Sequence, residues 1–195
     1  LSPTFMGAHE IPIEYRGRRD DYVRLVIDEM LPAVAREGLA EWNDVFCEQG
    51  VFTPEESRAI LDAGKPLGLR PRIHADELAP SGGALTAAAV GAVSADHLIH
   101  VDEAGADALA QAGVVATLLP AAAFFLKLGR YAPARMLVER GVPVALATDM
   151  NPGGGFSPSM PFVIALAAFG MGLTLEEALV AATVNGAAAL RRSHD

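Results

Sequence analysis

The chain has 195 residues, 51% hydrophobic and 20% charged, a composition that suits one globular domain with a core and excludes a disordered segment. Fifteen Lys and Arg against 24 Asp and Glu leave a formal net charge of −9, which argues against nucleic acid or an anionic membrane as partner, since both would repel it. The single cysteine, Cys47, excludes a disulfide framework and a thiolate metal site and fits a reducing, cytoplasmic setting. The longest apolar run, 160–173, is shorter than the roughly 18 residues of a bilayer span and carries Pro161, Gly170 and Gly172, so a buried helix is expected there. Leu1 is not an initiator methionine, and residues 1–10 lack the regions of a signal peptide, so a fragment or a processed chain is expected.

In chain order, short apolar runs alternate with stretches of helical period. A strand is expected at 4–8 and a helix over 21–36, with Val23, Val26, Ile27, Met30, Leu31 and Val34 on one face. A second strand at 44–47 leads into Thr53-Pro54-Glu55-Glu56, a capping box with proline at the first helical position. Strand 70–74, helix 82–90, strand 94–98, helix 102–112, strand 114–119, helix 132–140 and strand 142–148 follow. Helices at 157–170 and 175–190 come last, the second behind another capping box at Thr174 and Glu177. Runs apolar at every residue, such as 142–147, point to a parallel sheet buried on both faces. About six βα units with no linker and no repeat read as one α/β domain, 1–195, either doubly wound or a partial (β/α)8 barrel.

The polar residues choose between these. His9, Glu48, His74 with Glu77, Asp96 with His97, and Asp149 each fall at or just beyond the C-terminal end of a strand. In a barrel those ends converge on one face, whereas in a doubly wound sheet only two strand ends share a ligand, so the barrel is expected. His74, His97 and Asp149 recur at equivalent points of successive units and offer the imidazole and carboxylate donors of a hydrolytic Zn2+ or Fe2+. Glu77 lies three residues after His74, so one loop can aim both into a single site, where a glutamate can shuttle protons. Asp76 and Asp96 flank these candidates and are expected as hydrogen-bond partners of the histidines. His100 is expected to be structural, His194 solvated in the terminal tail, and Cys47 a buried thiol. Asn151-Pro152-Gly153-Gly154-Gly155 follows Asp149; with no Gly-Lys-Ser/Thr it is not a phosphate loop, and its glycines allow a tight turn or the close approach of a ligand.

At these residues the chain resembles the amidohydrolase superfamily and, within it, the imidazolonepropionase family of histidine degradation. The matching stretches are Thr4-Phe5-Met6-Gly7-Ala8-His9, Asp44-Val45-Phe46-Cys47-Glu48, His74-Ala75-Asp76-Glu77, Ser94-Ala95-Asp96-His97, Leu118-Leu119-Pro120 and Ala147-Thr148-Asp149-Met150-Asn151-Pro152-Gly153. The resemblance implies a TIM-type metal-dependent hydrolase barrel, with His74 and Asp149 as ligands of Zn2+ or Fe3+. It implies His97, Glu77 and Asp149 as catalytic residues, and His9, Glu77, Asn151, Gly153 and Gly154 as contacts to a small-molecule substrate. The implied reaction is hydrolysis of the cyclic amide of 4-imidazolone-5-propanoate to N-formimidoyl-L-glutamate, with a homodimer as the candidate assembly.

The chain also departs from the family. No His-x-His occurs in it, although the family carries one on the first barrel strand; Thr4–Ala8 matches about the third strand; and Gly154 stands where the family has threonine. The expectation is a barrel lacking its first strands and the accompanying β-sandwich, inactive by itself. Two alternatives stay open: another cyclic amidohydrolase or nucleobase deaminase, and a truncated, inactive homologue that acts as a binding protein.

Overall fold

The valine-, isoleucine- and alanine-rich runs form six strands in the computed structural model, which describes residues 1–193; His194 lies outside the described residues. The strands are β1 (Thr4–Ala8), β2 (Trp42–Cys47), β3 (Arg70–Ala75), β4 (Ser94–His97), β5 (Val115–Leu118) and β6 (Val144–Leu146). Each pairs in parallel with the next, so the spatial order is β1-β2-β3-β4-β5-β6. A doubly wound sheet reverses its order at a switch point, and this sheet does not; the fold is part of a (β/α)8 barrel with β1 and β6 at its margins. One large apolar cluster runs from Ala8 and Val26 through Ile73, Ala95 and Leu118 to Val163 and Ala181, joining the strands to the helices outside them.

The helices follow the expected pattern with three differences. The segment expected as one helix over 21–36 is α1 (Arg19–Leu25) and α2 (Leu31–Glu37), joined by a π-helical turn at Val26–Met30. Pro32 has no N–H to offer the carbonyl of Asp28, which removes one α-type bond where the turn widens. A short helix, α6 (Pro120–Phe125), occupies a segment for which no element was expected, with Pro120 at its first position. The last expected helix breaks at Thr183, whose φ of −125° and ψ of −81° separate α9 (Leu175–Ala182) from α10 (Val184–Ala189). The others are α3 (Pro54–Gly64), α4 (Gly83–Val90), α5 (Glu103–Ala112), α7 (Ala134–Glu139) and α8 (Met160–Met171). None of these helices is long and apolar enough to cross a membrane.

Both capping boxes form. Thr53 and Glu56 close the N-terminus of α3, and the same Glu56 carboxylate takes two bonds from Arg19, at 2.5 and 2.6 Å, fastening α1 to α3. Inside the sheet, at the end remote from the polar residues, the Arg70 and Arg72 guanidinium groups lie 4.7 and 4.0 Å from the ring of the fully buried Trp42. Asn43, on the opposite face of β2, donates to the Ile60 carbonyl at 3.0 Å and so ties the strand to α3.

The entry to α4 is the tightest join. A Cβ on Gly83 would lie 2.7 Å from both Cα and Cβ of Ala75, so only glycine lets the helix start against the end of β3. Gly83→Ala must push α4 off the strand that carries His74. We expect the overpacking to outweigh the helix-propensity gain and to lower stability by about 1–3 kcal/mol, read as a lower urea midpoint with unchanged slope.

Candidate active site at the strand ends

The strand ends are turned by residues in the left-handed region: Asp76 (φ 50°) after β3, His97 (φ 72°) and Leu98 (φ 58°) at β4, and Asp149 (φ 49°) after β6. For non-glycine residues this conformation is strained, and such strain concentrates at sites where side chains must be re-aimed. The backbone of Leu98 donates to the Ala75 carbonyl and that of His100 to the Asp76 carbonyl, at 3.0 and 2.8 Å, so β3 and β4 stay zipped through the turn.

His74 is the centre of the cluster. Its Nδ1 lies 3.0 Å from Oδ1 of Asp44, and its ring centroid is 4.6 Å from that of His9 and 5.1 Å from that of His97. Phe46 packs edge-on to His74 at 5.9 Å and stacks on His9 at 6.1 Å. The same Asp44 oxygen lies 3.6 Å from Nε2 of His9. His9, Asp44 and His74 can bring one donor atom each to within 4.8 Å of one another, the one such three-residue group among the described residues. An open cavity of about 860 Å³ runs alongside, lined by Asp44, His74, Asp96, Thr148 and Asp149 among others.

Burial and charge set the protonation. Burial opposes ionisation of Asp44, but the charge and hydrogen bond of His74, with His9 adding, hold its carboxyl well below the usual range. Burial opposes the charged form of His74 too, yet Asp44, joined by Asp96 and Asp149, raises it to about 9. His97 is held well below the ordinary histidine value, first by burial and then by His74, so it is a neutral imidazole. Its Nδ1 lies 3.4 Å from Oε1 of Glu77 without the alignment of a hydrogen bond. Burial pushes Glu77 up to about 7, with Asp149 and Glu48 adding and His74 opposing. Burial also raises Asp149, against His74 and the hydrogen bond from Asn151.

Of the expected site residues, the fold therefore brings His9, His74, Glu77 and His97 into one cluster and places Asp149 on the same cavity as His74. Asn151 spends its amide within its own loop. It donates to the Asp149 carbonyl at 3.0 Å and to Oδ1 at 2.8 Å, and accepts from the N–H groups of Gly153 and Gly154 at 2.7 and 2.6 Å. A Cβ at Gly154 would come within 2.8 Å of Oδ2 of Asp149, so a side chain there crowds that carboxylate.

Two expectations are corrected. Asp76 does not partner the histidines; its carboxylate accepts from the N–H groups of Ser81, Gly82, Gly83 and Ala84, at 2.8, 2.8, 3.2 and 2.8 Å, and anchors the start of α4. Glu48 does not face the cavity; it accepts from the N–H of Gln49 and of Leu78, each at 2.8 Å, and from the hydroxyl of Ser81. Glu48 thus fixes the loop that carries Glu77. Cys47 is fully buried, with its thiol pushed up to about 11 by burial. His100 lies outside the cluster, with Nδ1 3.5 Å from Arg130. The residue that sequence reasoning missed is Asp44, only 4% exposed, whose signal was a carboxylate inside an otherwise buried strand.

Parallel strands in chain order, with imidazoles and carboxylates gathered at their C-terminal ends, define a hydrolase barrel of the amidohydrolase type. The chain belongs to the amidohydrolase family, which residues 48–195 match. It is similar to imidazolonepropionases: it is 56% identical over 191 residues to that of Geobacillus kaustophilus (98% of this chain, 45% of the relative) and 56% over 193 residues to that of Bacteroides fragilis (99% and 46%). The chain thus spans about half the length of these relatives. Among solved structures, guanine deaminase from C. acetobutylicum, determined with bound guanine, superposes with a TM-score of 0.70 at 15% identity, over 97% of this chain and 52% of that one. An adenosine deaminase from Xanthomonas campestris with bound zinc gives 0.66 at 20% identity, over 96% and 47%. At these identities the superpositions speak for the fold alone.

Proposed function

We propose that this chain carries the catalytic strand ends of an imidazolonepropionase, which hydrolyses the cyclic amide of 4-imidazolone-5-propanoate to N-formimidoyl-L-glutamate. The observation that carries this reading is the cluster of His9, His74, Glu77 and His97 at three strand ends, in a chain 56% identical to enzymes of that name. Residues 1–195 are read as one barrel domain, since one large apolar cluster joins most of its strands and helices.

The donor set fits a metal ion. Imidazole and carboxylate suit Zn2+ or Fe3+, and the cluster holds buried polar atoms without hydrogen-bond partners, His9 Nε2, Asp96 Oδ1 and His97 Nδ1. His74 and Asp149 would hold the ion, which when bound acidifies a water and polarises the substrate carbonyl. The chain's own groups do the rest. Hydrolysis breaks the bond between the carbonyl carbon and the ring nitrogen, leaving hydroxyl on carbon and a proton on nitrogen. Glu77, whose carboxyl is raised to about 7, is matched to take the proton from water and return it to that nitrogen. Neutral His97 beside it accepts a hydrogen bond without adding positive charge. His9, against Phe46, stands ready to orient the substrate ring, and the 149–155 loop positions Asp149.

The test is turnover by the purified full-length protein. Ring opening of imidazolonepropionate, followed by its ultraviolet absorbance, is expected, with no release of ammonia from guanine or adenosine. Turnover of the nucleobases alone overturns the reading in favour of a deaminase.

A further inference from the structure

We propose that Asp44 is a positioning residue whose carboxylate fixes the His74 ring so that Nε2, and not Nδ1, faces the metal. This rests on the reading of His74 as a metal ligand. The register gives the depth: Phe46 pairs with His74, so Asp44, two residues earlier on β2, lies one side-chain layer further into the barrel. Two strand residues span about 6–7 Å, so Asp44 lies deeper than His74 along the wall of the cavity that Asp149 also lines. From below, its Oδ1 accepts from Nδ1 of His74 at 3.0 Å. An imidazole with a proton on Nδ1 keeps its lone pair on Nε2, at the opposite edge of the ring. A carboxylate behind a metal-binding histidine selects the tautomer and makes the imidazole a better donor.

The second contact adds to this. Nε2 of His9 approaches the same Asp44 oxygen at 3.6 Å, and the two rings meet edge to face, at 83°, with centroids 4.6 Å apart. One buried oxygen therefore bonds the candidate metal ligand and lies within ion-pair distance, without a hydrogen bond, of the candidate substrate residue. Asp44 itself is 4% exposed and engaged by His74, which makes it a poor direct ligand.

The experiment uses the full-length protein, wild type and Asp44→Asn, with Asp44→Ala as a harsher variant. Zinc affinity is measured by chelator competition, and the His74 ring is assigned by 15N and 13C shifts in the zinc-loaded wild type. The expected result is zinc on Nε2 with a proton on Nδ1, and an affinity about 10–100-fold weaker in folded Asp44→Asn, with a metal-free melting temperature lowered by loss of the Asp44–His74 ion pair. Zinc on Nδ1 of His74 or on the Asp44 carboxylate overturns the proposal, as does an Asp44→Asn affinity within twofold of wild type. If Asp44→Ala fails to fold, the isosteric variant and the wild-type spectrum decide. Wild-type protein that binds no zinc sinks both this proposal and the metal reading beneath it, whereas tight wild-type binding with an unchanged Asp44→Asn affinity sinks the Asp44 role alone.

Discussion

On the proposed function, replacing Glu77 by glutamine is expected to lower kcat/KM for imidazolone opening by about 10³-fold, while making the metal-free fold more stable. The first effect follows from losing a group placed to carry a proton between water and the ring nitrogen. With Glu77 as the proposed base and its carboxyl raised, wild-type kcat/KM is expected to climb with pH through an acid limb that the variant lacks. The second effect has the opposite sign. Burial, Asp149 and Glu48 lift the folded value from 4.5 to about 7 against the pull of His74, so the folded state binds the proton more tightly than the unfolded chain. Such a group is neutral in both states at low pH and costs stability as pH rises from about 4.5 to 7. The penalty is at most about 3–4 kcal/mol, at 1.36 kcal/mol per pH unit between about 4.5 and 7. Urea unfolding should therefore show Glu77→Gln more stable than wild type near pH 8 and equal to it near pH 4. Equal stability at both would show that burial does not govern this carboxyl. A residue that destabilises the fold while serving the chemistry is the usual mark of an active-site group.

His74→Ala is expected to remove bound metal and to destabilise the metal-free protein by about 3–5 kcal/mol, because it leaves the buried Asp44 carboxylate without its partner. The pH dependence is distinctive. Burial draws the imidazole down, but Asp44 outweighs it and raises His74 to about 9, above the value of roughly 6.5 for an unfolded histidine. A raised histidine contributes its stabilisation fully below about 6.5 and loses it as pH rises through about 9. The gap between wild type and His74→Ala should therefore be widest near pH 6 and narrower by pH 10. A gap independent of pH would mean that lost packing, and not the ion pair, is the cause. Metal content measured on the same preparations should fall from stoichiometric to negligible.

The strand-end placement of His74, Glu77, His97, His9 and Asp149 was legible in the sequence, because each stands at or just past an apolar run, and in a barrel all such ends open on one face. Asp44 was not legible, since it lies inside β2, where a reader of patterns sees only a polar residue next to Asn43 in a buried strand. What makes it matter is that Phe46 pairs with His74, a fact of register between segments 28 residues apart. Asp76 and Glu48 show the converse. Their positions matched those of site residues, but Asp76 caps α4 and Glu48 holds the backbone at Leu78, because both lie beside N–H groups that have no other partner.

The sequence by itself determined the class of fold, through strands apolar at every residue and separated by helical stretches, and it determined which strand ends bear ionisable groups. Both are local properties, set by hydrophobic period and by the residues that follow each run. Only the tertiary structure decided which of those groups meet, and which oxygen stands behind His74. Parallel register and the left-handed turns at Asp76, His97 and Asp149 act between distant segments, and no single segment encodes a distance to another.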